Sequence, residues 1–507
     1  MIENTPSTAF NPLELLEQIR QHLQAGQQAY LVGGAVRDLL FQRRVHDMDF
    51  AISGDVRRLA RKTANTLGGA FYVMDATRET MRVILTSPNH ERMFLDFSAL
   101  RGDDLHQDLL ARDFTINAIA IDLNAGNEIV DPLGGAKDLR EHLLRTCAQD
   151  SFQNDPVRVL RAIRLSLEFE LHLLPETTQQ ARQASGELGR VSVERQRDEL
   201  FRILDGRHPE SAMRLMQALG VLEFVLPELM PMQGVQQSKP HTLDVWEHTL
   251  KVLGWLERLS GVLVGEFAEN SASDLAVGLA VLRLGRYREQ LGEHFNMQLI
   301  PDRGNRSLLM LAALFHDAGK PAARSVERDG RIRFLGHEKH SAALVEAFGA
   351  RFALSSTEIE RLSKIILGHM RVHQLSDGRQ NISRKAIYRF FRDADVAGVD
   401  ICLLSLADML ATYGVTLDAD LWQRELDTCR TLLEAWWEKP EEIVRPPRLV
   451  NGNEIMVHFD MSAGPQVGKL LEAIREAQAM GLIVDREAAL DFAKKWLMRQ
   501  PEKEGDQ

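Results

Sequence analysis

The stretch that most constrains this chain is the apolar run Tyr30-Leu-Val32, which ends in Gly33 and Gly34, passes through Arg37 and Asp38, and is soon followed by His46-Asp47-Met48-Asp49-Phe50. A helix is expected over Ala35 to Phe41, so that free backbone N–H groups and the helix dipole face whatever sits at the paired glycines. That arrangement seats phosphate. Asp47 and Asp49 alternate along an expected strand, and a period of two sends both carboxylates to one face. Such a pair holds hard divalent cations, above all Mg²⁺ bridged to substrate phosphates. Each half alone is common, an isolated Asp-x-Asp usually being a solvated loop. Set one strand-turn-strand apart, the two halves specify far more.

The pattern continues in Arg112-Asp113-Phe-Thr-Ile-Asn117-Ala-Ile-Ala120. With Leu-Val-Gly-Gly-x-Val-Arg-Asp and Asp47-x-Asp49, it resembles the nucleotidyltransferase superfamily, in the class of bacterial CCA-adding tRNA nucleotidyltransferases and poly(A) polymerases. The resemblance runs at lower specificity over nearly the whole chain. It implies an α+β protein: a nucleotidyltransferase head with a small mixed sheet over 1–145, an all-helical neck over 146–235, a helical metal-binding domain over 236–415, and a helical linker with an RNA-binding tail over 416–507. In that family the motif around Arg112, Asp113 and Asn117 engages the ribose and triphosphate of the nucleotide. Its common form has two arginines, and here Ala111 stands in place of the first. Read without the resemblance, Arg112 and Asp113 are a surface ion pair.

Short apolar runs from Tyr30 to Asp131 (Leu31-Val32, Phe50-Ile52, Phe71-Met74, Arg82-Leu85, Met93-Phe97, Ile119-Leu123) alternate with helical stretches at Ala35 to Phe41 and Val56 to Leu67. They predict a small mixed sheet with helices on one side. Asp96 interrupts one run, either as a third catalytic carboxylate or as a strand-edge residue facing water. Asn11-Pro12 opens a preceding helix with Leu13, Leu16, Ile19 and Leu23 on one stripe. Asp131-Pro-Leu-Gly-Gly135 is a turn, the head-to-neck hinge if the resemblance holds.

Beyond it helices dominate. Asn154-Asp155-Pro156 starts one, with Arg158, Arg161 and Arg164 recurring every third residue opposite Val159, Ile163 and Leu167. Asp155 followed by proline reads as an ordinary N-cap. The resemblance gives a different role, in which Asp155 and Arg158 read the incoming base in place of a template. A carboxylate accepts from the exocyclic amine of cytosine or adenine while arginine donates to the ring nitrogen beside it. Asn154 stands where the family often has glutamate, so Arg158 must be fixed by other means. Val191 to Leu200 resembles the last neck motif and adds Arg195 and Arg197.

A second constellation comprises His248, His316-Asp317 in Leu-Phe-His-Asp-Ala-Gly-Lys-Pro, and Asp408. A lone histidine is usually structural, but adjacent His-Asp in an apolar helix is costly unless both are ligands. Together these residues suit a divalent transition metal with positions open to water. Their order resembles the HD phosphohydrolase superfamily. His337, His340 and His369 are candidates for a second metal or are surface histidines. Glu269 to Asn305 reads as an insertion without an assigned role. Gly464 to Lys469 is not a P-loop, because the spacing is short and no Ser or Thr follows the lysine.

The chain has 507 residues, 44% of them hydrophobic and 26% charged, enough for several domains. Cys147, Cys402 and Cys429 lie far apart, which excludes a disulfide framework and a cysteine zinc site and fits a reducing cytoplasm. Met1 to Asn11 lacks the basic flank and apolar core of a signal peptide, and no uncharged run spans a membrane, so a soluble cytoplasmic chain without a membrane partner is expected. A net charge of −11 requires any RNA-binding cations to be segregated onto one face. No residue pattern sets an oligomeric state.

The expected function is template-independent addition of C and/or A from CTP and ATP to the tRNA 3′ end, with release of pyrophosphate. Asp47 and Asp49, with Asp96 as third carboxylate, carry Mg²⁺; Gly33, Gly34, Arg37, Asp38, Arg112, Asp113, Asn117, Asp155, Arg158, Arg161 and Arg164 hold the nucleotide. The short connection between Asp96 and Arg112 makes a CC-adding enzyme a standing alternative. Others are an A-adding enzyme, a poly(A) polymerase, a phosphohydrolase with a degenerate head, and a non-catalytic RNA-binding module.

Overall fold

The computed structural model describes residues 10–77, 79–265, 274–301, 303–377 and 382–499. The chain forms two compact units, one of residues 1–200 and 214–225, the other of 201–213 and 226–507. The boundaries expected at 145 and 415 fall inside these units. At the first, Leu143–Leu144 pairs in parallel with His172–Leu173. At the second, the indole of Trp422 donates to the carbonyl of Ala276.

The first unit is built on a seven-stranded mixed sheet. Its strands are β1 (Ala29–Val32), β2 (Asp47–Ile52), β3 (Ala70–Asp75), β4 (Thr80–Thr86), β5 (Arg92–Ala99), β6 (Ala120–Asp122) and β7 (Glu128–Val130), in the order β3-β4-β5-β2-β1-β6-β7. β2 and β5 are parallel and the other pairs antiparallel. A parallel pair needs a long crossover, and helix Val56–Leu67 with the β3–β4 hairpin supplies it. Asp55 caps that helix by accepting from the Arg58 N–H, and Gly68 ends it at φ +68°. β7 was not anticipated: it has no apolar run, and Ile129 faces solvent.

Alternation along β2 sorts its residues as the sequence requires. Met48, Phe50 and Ile52 are buried, and Phe50 stacks on Phe97 of β5 at 4.9 Å between centroids. The opposite face carries Asp47 and Asp49, and the register sets Asp49 beside Val32 on one side and Asp96 on the other. β5 lies inside the sheet, so Asp96 is not a strand-edge residue. Past β7, both carboxylate oxygens of Asp131 accept from the N–H groups of Gly135 and Ala136 and close the turn. A Cβ at Gly135 would lie 2.0 Å from the carbonyl oxygen of Thr115, which only glycine avoids.

The second unit is helical. Helices Val245–Val264, His337–Arg351 and Ala397–Tyr413 carry His248, His337 and Asp408, while Asn305–Phe315 and Ser356–Gly368 end just before His316 and His369. Ala397–Thr416 is, among the described residues, the one helix long and apolar enough to cross a membrane, but it carries Asp400 and Asp408 and is mostly buried. The expected insertion turns out to be part of this packing, apart from 269–273 and 302, which lie outside the described residues. His294 Nε2 donates to Asp400 at 2.8 Å, and Arg361 donates to the same carboxylate at 2.8 Å, all three side chains being buried. Helices Gly452–Phe459, Pro465–Ala479 and Arg486–Met498 enclose a separate small core around Ile455, Leu470 and Ile474.

Candidate active site and metal-ligand clusters

The carboxylate face of β2 floors a cleft of about 1020 Å³ in the first unit, lined by Asp49, Arg101, Arg112, Asp155, Arg158 and Arg195 among others. Asp49 stays open to solvent on the cleft side, yet the protein crowded around its carboxylate pushes its pKa up to about 6. Burial is the main cause, Asp96 and Asp47 add to it, and Arg112 opposes it. A carboxylate under such strain gains from a cation, so the donor set fits a hard divalent ion. Asp96 is already engaged, accepting from Nε and Nη2 of Arg82 at 2.7 Å each. Gly33 has φ +81°, and a Cβ there would come within 3.1 Å of Asp49 Oδ2 and 3.2 Å of Arg112 Nη1. The glycine turn, the carboxylate and the arginine therefore converge.

Gly34 opens the helix Gly34–Leu40, but Arg37 and Asp38 turn away from the cleft lining. Arg37 is buried, donating to Asp38 at 2.9 Å and to Asn117 at 2.7 Å, with its guanidinium 4.1 Å from the Phe169 ring centroid. Asn117 in turn donates to Asp113, which also accepts from Arg161 at 2.8 Å. Although burial opposes its charge, Arg161 and Asn117 hold Asp113 below the usual carboxylate value. Glu199 links Arg161 to Arg164 and completes the chain. Arg112 and Asp113 do not pair with each other: Arg112 donates to the buried Asp108 at 2.9 and 3.0 Å.

Asp155 is not an N-cap; it closes the short helix Ser151–Asn154 with its backbone N–H donating to the Ser151 carbonyl. The next helix begins at Arg158 behind Val157, with no side-chain cap bond. The carboxylate of Asp155 instead faces the cleft, its Oδ2 accepting from Arg195 at 2.7 Å, with the Arg158 Nε 3.8 Å away. Arg158 is held by Ser151 Oγ at 2.8 Å and by the carbonyls of Ala111 and Arg112 at 2.8 and 3.1 Å. This answers how the arginine is fixed without a glutamate at 154.

In the second unit the expected ligands gather into two groups, His248, His316 and Asp408 in one and Asp317, His337 and His369 in the other, each with ligand atoms within 4.8 Å. His316, His337 and His369 share one device: Nδ1 donates to the carbonyl three residues earlier (Ala313, Phe334, Ile366) at 2.6 to 2.8 Å. That bond fixes the tautomer and leaves Nε2 as a lone pair facing the cluster. The Nε2 atoms of His337 and His369 meet at 3.3 Å. The buried Nε2 atoms of His248 and His316 lie 2.9 Å from Asp408 Oδ1 and 3.2 Å from Asp317 Oδ2 without hydrogen-bond geometry. Lone pairs converging in a buried place beside two carboxylates are chemically at home around a divalent metal. Burial works against charge on Asp317 and Asp408, yet Lys320, 2.6 Å from the first, and His373, 3.1 Å from the second, help hold both well below the usual range. Burial pushes His369 down to about 3, keeping it neutral as a ligand must be. His340 is exposed and outside both groups.

Residues 29–145 match the poly(A) polymerase head domain, 170–232 a probable RNA- and SrmB-binding site of polymerase A, and 245–410 the HD domain. An A-adding tRNA nucleotidyltransferase of Deinococcus radiodurans is 33% identical over 93% of this chain and 96% of its own. This chain belongs to the tRNA nucleotidyltransferase family. A CC-adding tRNA nucleotidyltransferase of Thermus thermophilus is 32% identical over 92% of this chain and 93% of its own. The fold agrees with a CCA-adding enzyme solved with ATP, at TM-score 0.62 and 19% identity, covering 97% of this chain and 96% of that one.

Several residues at these family sites escaped the sequence reading. Asp108 and Arg101 lie in a stretch with no motif of its own. His373, four residues beyond His369, reaches Asp408 at 3.1 Å through Nε2 and the buried Glu425 at 2.9 Å through Nδ1. Burial opposes its charge, but Glu425 and Asp408 raise it to about 10. His373 sits on the next helix, Arg371–Ser376, past the break at His369–Met370, so no helical spacing in the sequence pointed to it.

Proposed function

We propose that the first unit adds C and/or A to the 3′ end of tRNA from CTP and ATP, the 3′-hydroxyl displacing pyrophosphate at the α-phosphate. The observation that carries this reading is the convergence of Gly33, Asp49 and Arg112 on the same cleft as Asp155 and Arg158. Asp47 and Asp49 would hold Mg²⁺, which when bound neutralises the triphosphate and lowers the pKa of the attacking hydroxyl. Gly33 leaves room for phosphate where a side chain would collide with Asp49 and Arg112. Arg112, kept rigid by Asp108, offers its remaining donor to the triphosphate.

Base choice follows from what Asp155 and Arg158 have left to offer. Arg195 takes Oδ2 of Asp155, so Oδ1 is available to an exocyclic amine. Arg158 spends Nη1 and one Nη2 proton on Ser151 and two carbonyls, which leaves Nε–H and the other Nη2 proton on the edge toward Asp155. Cytosine and adenine present an amine beside a ring acceptor, matching that pair. Uracil and guanine set a carbonyl against the carboxylate. Specificity for C alone or A alone is a second reading: the short connection 100–104 between β5 and helix Leu105–Leu110 favours C alone, and the full-length relatives include one A-adding and one CC-adding enzyme. Incubating the protein with tRNA ending before CCA, after C and after CC, each with CTP, ATP or both, separates these readings. No addition to any of the three sinks them all.

Proton competition gives a pH signature. Asp49, at about 6, must be ionised to hold a cation, so below that pH each unit should raise the Mg²⁺ concentration for half-maximal activity about tenfold, with little change above it. Mg²⁺ titrations of single-turnover addition from pH 5 to pH 8 check this.

For the second unit we infer metal-dependent phosphoester hydrolysis at the His-Asp cluster. A bound divalent transition metal would there activate water and polarise a phosphoryl oxygen. The supporting observation is the set of fixed Nε2 lone pairs under a cleft lined by Lys239, Arg331 and Arg371. His316→Gln with Asp317→Asn should lose all tightly bound transition metal by elemental analysis, together with any phosphoesterase activity, while tRNA nucleotide addition persists. Equal metal content in variant and parent would make the cluster structural.

A further inference from the structure

Of the arginines lining the transferase cleft, most are already bound. Arg112 is tied to Asp108, Arg158 to Ser151 and two carbonyls, Arg161 to Asp113 and Glu199, and Arg195 to Asp155. Arg101 is different. Its guanidinium lines the cleft and makes no hydrogen bond or ion pair with any described residue. It stands two residues past the end of β5, the strand whose Asp96 is in register with Asp49. Its backbone is also fixed: the Arg101 N–H donates to Asp108 Oδ1 at 3.0 Å, while Oδ2 of the same buried carboxylate takes Nε and Nη2 of Arg112. One side chain thus sets two arginines beside each other over the same floor.

Two adjacent cations facing an acidic floor await an anion with charge to spare. Arg101 feels this already, its pKa being lowered by burial and by the positive charge of Arg112. Ala111, on the turn between Asp108 and Arg112, contributes only a carbonyl to Arg158.

We infer that Arg101 binds the β- and γ-phosphates of the incoming nucleoside triphosphate, forming with Arg112 a two-arginine clamp on the leaving pyrophosphate. The inference rests on the transferase reading above. The planar guanidinium fork suits paired phosphate oxygens in a way a lysine does not.

The test compares the unaltered protein with Arg101→Gln and Arg101→Lys, measuring equilibrium binding of CTP and of CMP with Mg²⁺ present, the melting temperature, and single-turnover addition to tRNA. A charge-assisted bond to phosphate predicts CTP affinity about 10- to 100-fold weaker in Arg101→Gln and a smaller loss in Arg101→Lys. CMP affinity and melting temperature should not move, since CMP lacks the phosphates in question and the side chain has no partner to lose. Unchanged CTP affinity overturns the inference, as does an equal fall for CTP and CMP, which would put Arg101 on the α-phosphate or the nucleoside. If the unaltered protein adds neither nucleotide to tRNA, the transferase reading falls and the clamp falls with it. An active protein whose Arg101→Gln variant binds CTP normally overturns the clamp alone.

Discussion

Asp49→Ala is expected to reduce nucleotide addition by roughly 10³-fold or more, the scale seen when a preorganised electrostatic stabiliser is removed from a reacting phosphoryl or acyl centre. Affinity for tRNA should hold. RNA affinity comes from cations that neutralise phosphates, and removing a carboxylate takes none away. Asp49→Asn is the sharper variant, because it keeps shape and loses only charge. The strained carboxylate also predicts a stability effect of known sign. Its folded pKa, about 6, lies above the ordinary carboxylate value, so the ionised form costs folding free energy at pH above 6 and nothing below the unfolded pKa. Asp49→Asn should therefore raise the melting temperature of metal-free protein at pH 7.5 and leave it unchanged near pH 3.5. Gain of stability with loss of activity is the expected trade at a site built to hold a cation. Substantial remaining addition in both variants would remove the metal-site assignment.

How much of this was legible in the sequence depended on whether the cause was local. The carboxylate pair was legible because a period of two is enforced by backbone geometry, and the helix Val56–Leu67 was legible to its ends because Asp55 and Gly68 are local start and stop signals. The wrapping of Arg37 by Asp38, Asn117 and Phe169 was not, since it depends on a residue 80 positions away. Asp155-Pro156 shows a local rule being overruled. The dipeptide has the grammar of an N-cap, but Arg195, 40 residues on, draws the carboxylate outward and the helix starts later. His316-Asp317 declared itself because the pair follows an apolar run, here the helix Asn305–Phe315, whereas His337 and His369 read equally as surface histidines. The division of the ligands into two groups left no such signal, because it rests on which carbonyl each Nδ1 meets. Arg101 carried no signal at all: an unpaired surface arginine and an unpaired cleft arginine look alike until the cleft is built.

The second large effect is expected on base choice. In Asp155→Asn the side chain keeps its size but presents an amide that can donate, so the acceptor facing the exocyclic amine is weakened and the repulsion against a carbonyl-bearing base is lost. CTP or ATP incorporation should fall about 10- to 100-fold, as for loss of one charge-assisted hydrogen bond. UTP and GTP should gain relative to them. Stability should barely change. The ion pair with Arg195 joins a half-exposed arginine to a partly exposed aspartate, and such pairs contribute about 0–1 kcal/mol. Arg195→Gln is the control that separates reading from scaffolding. If Asp155 matters only as the partner of Arg195, the two variants will behave alike and neither will change discrimination. If Asp155 reads the base, Arg195→Gln should lower the rate for all four nucleotides by a similar factor, because it loosens the carboxylate without changing its chemistry, and only Asp155→Asn should shift the ratios. Single-turnover incorporation of CTP, ATP, UTP and GTP by both variants decides the matter, and unchanged ratios in Asp155→Asn would refute the template role.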